Sequence, residues 1–396
     1  MVRIKKIFIS AGESSGDVYG ARLAEAFLKA SPGSIIYGMG LERMKSAGVK
    51  LLFDLRNHSV MGITEVLSSV CESYKNIKYA ADFLEKNRID ALVLIDYAGF
   101  NLKLAAAARA KGIRVYYFIP PKLWAWGSFR IKGLKRDVEK IYSIFPFEKD
   151  YFSKHSIKTE YFGHPIFDII ERSKFNYAGY LREEKSGAAR AKNCVLLMPG
   201  SRKAEIANQL PLMVDCANII KNKYSKIYGG LEFVLPLAPS VDESLLKKHL
   251  KRAKFDYRLS YSDIDKYESF ARALYAIVTS GTATLELALF GVPMVVLYKM
   301  ALLTEIAGRL LISSKYVSLP NILAKTDIVA ELVQREANEE NIIYHASRAL
   351  DSTERAGSIR KSLLRTADIL KYDESISPSD AVASDICKLG GLIATD

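Results

Sequence analysis

The residues of this chain best equipped for chemistry are polar groups that directly follow apolar runs. Asp96 closes the run 90–95, Pro199-Gly200-Ser201-Arg202 follows the run 194–198, and Ser280-Gly281-Thr282 follows the run 275–279. If the runs are buried strands, each polar group stands at a carboxyl edge, where open α/β sheets hold their ligands. A carboxylate at Asp96 can accept a proton from a hydroxyl, and it serves equally well as the cap of a following helix or loop. Arg202 offers a guanidinium suited to bidentate phosphate recognition. The Ser280-Gly281-Thr282 turn opens a helix whose first N–H groups can hold a phosphate, and Glu286, one turn further in, can accept from ribose hydroxyls. An ordinary βα turn has the same composition.

Gly12-Glu13-Ser14-Ser15-Gly16-Asp17 follows the first apolar run and formally matches a G-x-S-x-G nucleophile elbow on Ser14. Only one strand precedes Ser14, whereas an elbow normally lies behind several. The favoured reading is a glycine turn that lets a substrate approach the backbone through Gly12, Ser15, Gly16 and Asp17. Of the histidines only His164, between Gly163 and Pro165, looks placed for function, and a lone histidine is more often structural. No set of residues has metal-ligand spacing, and Cys71, Cys194, Cys216 and Cys387 are too dispersed for a zinc site or a disulfide framework, which fits a reducing compartment.

The elements that must position these groups read as two α/β series. The first has strands at 6–11, 90–95, 113–119, 141–145 and 159–162, with helices at 18–29 and 146–155 and an Ala-rich helix up to Lys111. The second has strands at 194–198, 232–236, 275–279 and 294–298, with helices at 203–223 and 282–290. Residues 317–321 read as a loop, 327–335 as a helix, and further helices run to Tyr372 and again from Pro378. Residues 173–192 are charged and aperiodic and read as a linker.

The bulk numbers agree with two domains. The chain has 396 residues, 49% apolar and 26% charged, too long for one small core. Its net charge of +13, from 57 basic against 44 acidic residues, asks for an acidic partner: nucleic acid, an anionic membrane or a phosphorylated substrate. No RNP or helix-turn-helix signature accompanies that charge, so a non-catalytic nucleotide- or RNA-binding protein is the weaker alternative, as is a serine hydrolase. The N-terminal apolar stretch is too short for a signal peptide, and the most apolar span is broken by Glu286, Pro293 and Lys299. Membrane contact would therefore be peripheral. Val66 and Leu67 in the apolar segment 60–70, and Trp124 and Trp126 in a basic stretch, are the candidates; core packing would use the same residues.

In order along the chain stand GESSGD, SVMGITEVL (59–67), LWAW, FPFE (145–148), GHP, MPGSR, SGTATLE and YVSLPNILA (316–324). This ordered set, spanning about residues 7 to 335, resembles lipid-A-disaccharide synthase. The resemblance implies a GT-B fold, two Rossmann-like domains facing across a cleft: an acceptor domain at 1–172, a linker at 173–192, a UDP-sugar domain at 193–345, and C-terminal helices at 346–396 returning to the first domain. It implies an inverting transfer from UDP-2,3-diacylglucosamine to the 6-hydroxyl of 2,3-diacylglucosamine 1-phosphate, releasing UDP. No cofactor is expected and no divalent metal, because no carboxylate pair or histidine cluster is spaced to hold one and Arg202 with the helix starts at Ser201 and Ser280 can supply the charge. It also implies a cytoplasmic enzyme, peripheral on the inner face of the inner membrane, with an anionic membrane surface but no nucleic acid as partner, and leaves a homodimer open. By motif, Asp96 corresponds to the essential aspartate, and Arg202, Glu286, Asn321 and Gln334 to polar residues around the nucleotide; Ser280, Gly281 and Thr282 lie in the donor turn, and Asn101 with the glycine turn on the substrate side. The family usually has Ile-Asp-Ala/Ser-Pro-Asp-Phe-Asn at the aspartate. Here Tyr97-Ala98-Gly99 replace its middle three residues, and Pro120 stands where Ser is usual.

Overall fold

The computed structural model describes residues 6–12, 14–54, 66–125, 127–186, 192–237, 241, 243–299, 315–370 and 376–389, with the backbone alone for residues 14, 53–54 and 66–74. The chain divides into two compact units, Met1–Ile169 with Leu370–Asp396, and Ile170–Ile369.

In the first unit the order is β1 (Lys6–Ala11), α1 (Ser14–Ala30), β2 (Ile35–Gly40), α2 (Glu42–Ser46), β3 (Lys50–Asp54), α3 (Val66–Lys86), β4 (Ala91–Ile95), α4 (Ala98–Ala110), β5 (Arg114–Phe118), α5 (Ile131–Asp137), β6 (Lys140–Ser143), α6 (Pro146–Lys154), β7 (Thr159–Tyr161) and α7 (Ile166–Arg172), the last crossing the boundary. The strands form a seven-stranded sheet in the order β3-β2-β1-β4-β5-β6-β7, with parallel pairings. Helices cover parallel strands on both faces, so both faces must be apolar. All five residues of β4 are buried accordingly, and Phe8, Leu92, Leu94, Val115 and Tyr117 join one core with Leu104, Ala105 and Ala108 of α4. The small side chains of α4 let that helix lie close to the sheet.

The second unit repeats the plan: α8 (Tyr177–Ser186), β8 (Cys194–Met198), α9 (Lys203–Tyr224), β9 (Glu232–Pro236), α10 (Glu243–Leu250), β10 (Tyr257–Ser260), α11 (Asp263–Ala271), β11 (Ala273–Thr279), α12 (Thr282–Leu289), β12 (Met294–Tyr298), α13 (Leu319–Ala324), β13 (Ala330–Val333), α14 (Glu339–Leu350) and α15 (Thr353–Asp368). Its six-stranded sheet runs β10-β9-β8-β11-β12-β13, again with parallel pairings. In each unit the first strand has the second on one side and the fourth on the other. The chain thus reverses its direction of winding between β1 and β4 and between β8 and β11, and at such switch points the loops part and leave a crevice.

Several expectations from the sequence are corrected. The charged segment 173–192 contains α8, anchored by Tyr177 and Tyr180, whose hydroxyls donate to the Leu289 and Phe290 carbonyls (2.7 and 2.6 Å) and whose rings pack on Phe290. Residues 327–335, read as a helix, contain edge strand β13 instead, since pairing with β12 satisfies their backbone in extended form. Residues 317–321 run into α13, which starts after Ser318 with a proline in its first turn. Of the C-terminal helices, α14 and α15 belong to the second unit. Among the described residues α16 (Pro378–Leu389) alone belongs to the first, where Asp168 accepts from the Ser379 N–H (2.9 Å), Arg22 and Lys29 pair with Asp380, and Lys140 and Tyr142 meet Asp385.

Candidate active site

Gly12 and Asp96 are neighbours at the first switch point, because the β1–β4 register pairs Ala11 with Ile95 immediately before them. Asp96 is exposed at the carboxyl edge, and its backbone is held from behind. Its N–H donates to the Ile119 carbonyl (3.0 Å), and its carbonyl accepts from the Tyr117 hydroxyl (2.6 Å) and Asn101 Nδ2 (2.8 Å). Burial, with a smaller contribution from the Asp96 charge, pushes Tyr117 well above its ordinary value, so it remains a hydroxyl donor. Asp96, Tyr97 and Ile119 all take left-handed backbone conformations, with φ of 47°, 48° and 63°. This is costly for a β-branched residue, and such strain persists only where packing over-determines it.

Four residues assigned to the substrate loop turn out differently. Asn101 is fully buried, with Oδ1 accepting from Ser10 Oγ (2.6 Å) and Nδ2 directed at the Ser10, Ile95 and Asp96 carbonyls. It fixes the Asp96 backbone, and both of its polar groups are engaged inside the fold, away from solvent. Asp17 is also buried, accepting from the N–H groups of Leu41 (2.6 Å), Arg43 (3.0 Å) and Met44 (3.2 Å), so it caps α2. Burial raises its pKa. The Cα face of Gly12 lies under the Tyr97 ring, and Gly16 faces Ala11 and Ile95, where it lets α1 approach the sheet. Ser15 is half-buried in the first turn of α1. Ser14 opens that helix, and its side chain lies outside the described residues.

At the second switch point Arg202 follows β8 and Ser280 follows β11. The β8–β11 register pairs Met198 with Val278, bringing the two turns side by side. Their electrostatics differ. In the Arg202 turn the Ser201 and Arg202 N–H groups already donate to Glu205 (3.1 and 3.2 Å), and Gly200, at φ 101°, passes so close to that carboxylate that a Cβ would lie 2.3 Å from Oε2. Backbone N–H groups that could hold an anion here are satisfied from within, by the carboxylate three residues beyond the N-cap Arg202. What the turn offers outward is the Arg202 guanidinium, whose side chain is 65% exposed and whose charge lowers the burial-raised pKa of Tyr298 at the end of β12. Since β11 lies between β8 and β12, that field spans the Ser280 turn.

Among the described residues the Ser280 turn carries no such plug. Gly281 is the N-cap of α12 without a side-chain cap, and Gly281 and Thr282 are both exposed. The first N–H groups of a helix lack intrahelical partners, so this terminus presents donors and positive partial charge. Ser280 uses its hydroxyl to donate to the Val317 carbonyl (2.8 Å) and so pins the neighbouring loop. Glu286 accepts from Lys266 Nζ (3.1 Å) and Tyr267 Oη (3.3 Å) on Oε1, a pairing the sequence did not reveal. Asn321 is fully buried: Oδ1 accepts from the Ile328 and Val329 N–H groups, and Nδ2 donates to the Val329 carbonyl and to Glu331. All four of its bonding positions are used, so it supports the site from behind. Gln334, with φ of 55°, follows β13 at the same carboxyl edge.

The tryptophan segment is tied down by Glu148. This fully buried carboxylate accepts from Trp124 Nε1 (2.9 Å) and from the Ile144 and Phe145 N–H groups (both 3.2 Å), while Trp124 meets Phe147 edge-on. Burial pushes the Glu148 pKa up to about 7 against these bonds. His164 is buried too, held near 3 by desolvation, and its neutral Nδ1 accepts from the Ile166 N–H (3.0 Å). Trp124 is half-buried, whereas Phe129 is 73% exposed beside exposed Lys132, Lys135 and Arg136. Trp126 and the side chains of Val66 and Leu67 lie outside the described residues. Among the described residues no helix is long and apolar enough to cross a membrane, and no group of three or more His, Cys, Asp or Glu side chains could hold a metal ion.

Comparison with known proteins agrees with this architecture. A solved Neisseria meningitidis UDP-GlcNAc 2-epimerase bound to UDP-GlcNAc superposes with a TM-score of 0.62 at 14% identity, covering 98% of this chain and 99% of that one. Acinetobacter baumannii MurG does so with a TM-score of 0.58 at 16% identity, covering 97% and 99%. At these identities the likeness shows the fold, which is that of the GT-B class. A lipid-A-disaccharide synthase of Persephonella marina is 37% identical over 89% of this chain and 91% of its own length, and one of Nitrosococcus oceani is 36% identical over 90% and 89%. The family profile described as lipid-A-disaccharide synthetase matches residues 7–385. The hydrolase and nucleic-acid-binding alternatives gain no support, and the chain belongs to the lipid-A-disaccharide synthetase family, as a disaccharide-forming hexosyltransferase.

Proposed function

We propose that this enzyme joins UDP-2,3-diacylglucosamine to 2,3-diacylglucosamine 1-phosphate, giving the β(1→6)-linked disaccharide 1-phosphate and UDP. The observation that carries the site assignment is the coincidence of the polar motifs with the switch points of both sheets. The Asp96 carboxylate takes the proton of the acceptor 6-hydroxyl as that oxygen bonds to C1 of the donor sugar. On the opposite face the bond from C1 to the diphosphate oxygen breaks, its electron pair leaves with UDP, and the anomeric centre inverts.

The departing diphosphate needs positive charge rather than a nucleophile. Arg202 and the uncapped start of α12 supply it, and they meet growing charge with dipoles already oriented. That arrangement removes the need for a divalent ion. Glu286, with its rotamer held by Lys266 and Tyr267, accepts from the ribose hydroxyls, and Gln334 stands at the same edge. In this reading the first unit handles the acceptor and the second the nucleotide.

Both substrates carry acyl chains, so the enzyme works at a membrane surface, on the cytoplasmic face of the inner membrane. Phe129 with Lys132, Lys135 and Arg136 supports this contact better than Trp124, whose indole N–H is already used. The direct test is incubation with donor and acceptor while UDP is measured. Acceptor-dependent UDP release is expected, and release that ignores the acceptor would overturn the reading.

A further inference from the structure

Glu331, on β13, gathers more donors than any role in its own strand requires. Its Oε2 accepts from the Val317 N–H (2.9 Å), and its Oε1 accepts from the Ser318 N–H (2.9 Å), Ser318 Oγ (2.6 Å) and Asn321 Nδ2 (2.9 Å). One carboxylate thus caps the start of α13 and grips the loop before it. Val317, whose N–H it holds, returns its carbonyl to Ser280 Oγ (2.8 Å). The chain of contacts runs from Asn321 through Glu331 and Val317 to Ser280, the residue directly before the uncapped start of α12. A carboxylate suits this place because every group facing it is a donor. An amide would turn its own N–H₂ toward some of them.

We infer that Glu331 is a positioning residue for the donor nucleotide: it touches no substrate but sets the Ser280 turn through the Val317 backbone, and the buried Asn321 acts with it as one unit. The inference rests on the proposed reading of the α12 start as the diphosphate site. It assigns Asn321 to the same supporting network, since that side chain has no bonding position left for a ligand.

The test compares Glu331→Gln, Glu331→Asp and Asn321→Ala in the full-length enzyme, measuring UDP affinity by calorimetry, donor KM, kcat and Tm. Arg202→Ala serves as a site control. Ser352→Ala serves as a stability control, because it removes only the cap that Ser352 provides to the Arg355 N–H at the start of α15. Glu331→Gln is expected to weaken UDP and raise donor KM by about 10-fold, with kcat changed much less. Glu331→Asp, which keeps the charge, should recover part of the loss and covers the case in which the Gln variant fails to fold. Combining Glu331→Gln with Asn321→Ala should weaken UDP little beyond either alone, as coupled residues do. If Arg202→Ala weakens UDP while both Glu331 variants bind it as the wild type does, the positioning role is wrong and the donor site stands. The positioning role also falls if Ser352→Ala weakens UDP as much at an equal loss of Tm. If Arg202→Ala leaves UDP affinity unchanged, the site reading falls and takes this inference with it.

Discussion

Gly12→Ala tests whether the Tyr97 contact controls the position of Asp96. A Cβ built on Gly12 lies 2.2 Å from Cγ and Cδ1 of Tyr97 and 2.7 Å from Cδ2, where ordinary contact begins near 3.4 Å, so the ring has to retreat by more than an ångström. These are the inner atoms of the ring, and a swing of the hydroxyl end cannot relieve the clash. Retreat is obstructed, because the ring stacks on Phe100 (centroids 5.7 Å, planes 23° apart) and the Tyr97 backbone is already left-handed. The displacement therefore passes to Asp96, whose carbonyl is held by Tyr117 and Asn101. Overpacking of this kind costs about 1–3 kcal/mol of stability. A displacement of about 1 Å in a reacting group costs roughly 100-fold in rate. The expected result is a kcat reduced by roughly 10- to 100-fold with donor KM nearly unchanged, because the residues proposed to hold the nucleotide belong to the other unit, and a Tm lower by a few degrees. Adding Tyr97→Gly removes the ring, tolerates the left-handed backbone and should restore most of the lost kcat. Steady-state UDP release and a thermal melt read both effects. A single variant with normal kcat, or a double variant as slow as the single, would refute the reasoning.

Further outcomes are expected. Asp96→Asn should keep the fold and UDP affinity while kcat drops roughly 100-fold or more, as loss of a general base does; near-normal turnover would remove Asp96 from that role. Glu148 binds a proton more tightly in the folded chain, at about 7, than at its ordinary 4.5, so its contribution to stability is fully present below 4.5 and is lost as pH rises toward 7. The span corresponds to about 3 kcal/mol. Glu148→Gln should flatten that part of the Tm–pH curve and alter tryptophan emission, and a variant with the wild-type slope would contradict the assignment. Activity should survive a chelator if Arg202 and the start of α12 provide the charge as proposed; loss in EDTA that magnesium restores would show otherwise. Binding to anionic vesicles should weaken with salt and with Phe129→Ser at unchanged Tm, and indifference to both would discard the basic segment as a membrane contact.

The sheet interiors were legible because strands buried on both faces are written as continuous apolar runs: Ile7–Ile9, Leu92–Ile95 and Val195–Leu197 are all fully buried. Strands away from the sheet centres were harder to read. Ile35–Gly40, one strand in from the edge, contains two glycines, and edge strand Tyr257–Ser260 has only one fully apolar aliphatic residue, so neither signals a strand without its partner. In residues 327–335 the apolar spacing of Ile328, Val329, Leu332 and Val333 fits a helix face, yet the open edge of β12 determines the outcome. The polar residues at the switch points were found from their places after apolar runs. Asp17 was misread because a buried cap and a substrate ligand are the same residue type at the same offset from a strand, and only the fold reveals that α2 lies over it.

The two buried asparagines show why sites are harder to read than sheets. Asn101 and Asn321 lie behind equivalent switch points, one in each unit, and both matched family motifs as polar residues of the site. An asparagine side chain has two donor hydrogens and two acceptor positions. In Asn321 all four are used, by Ile328, Val329 and Glu331, and in Asn101 both donor hydrogens point at the Ile95 and Asp96 carbonyls while the oxygen accepts from Ser10. Leaving a buried amide unpaired costs about 1–3 kcal/mol, so such a residue is as constrained in type as a ligand would be. Motif matching therefore marks the positioning amide and the contacting side chain alike. What separates them is solvent: Asp96, Arg202, Gly281 and Thr282 are exposed at the carboxyl edges, while the asparagines are buried behind them. It follows that Asn101→Ala and Asp96→Asn act by different routes. The first releases the backbone that carries the carboxylate and should lower Tm together with kcat, whereas the second removes the carboxylate's charge and should lower kcat alone.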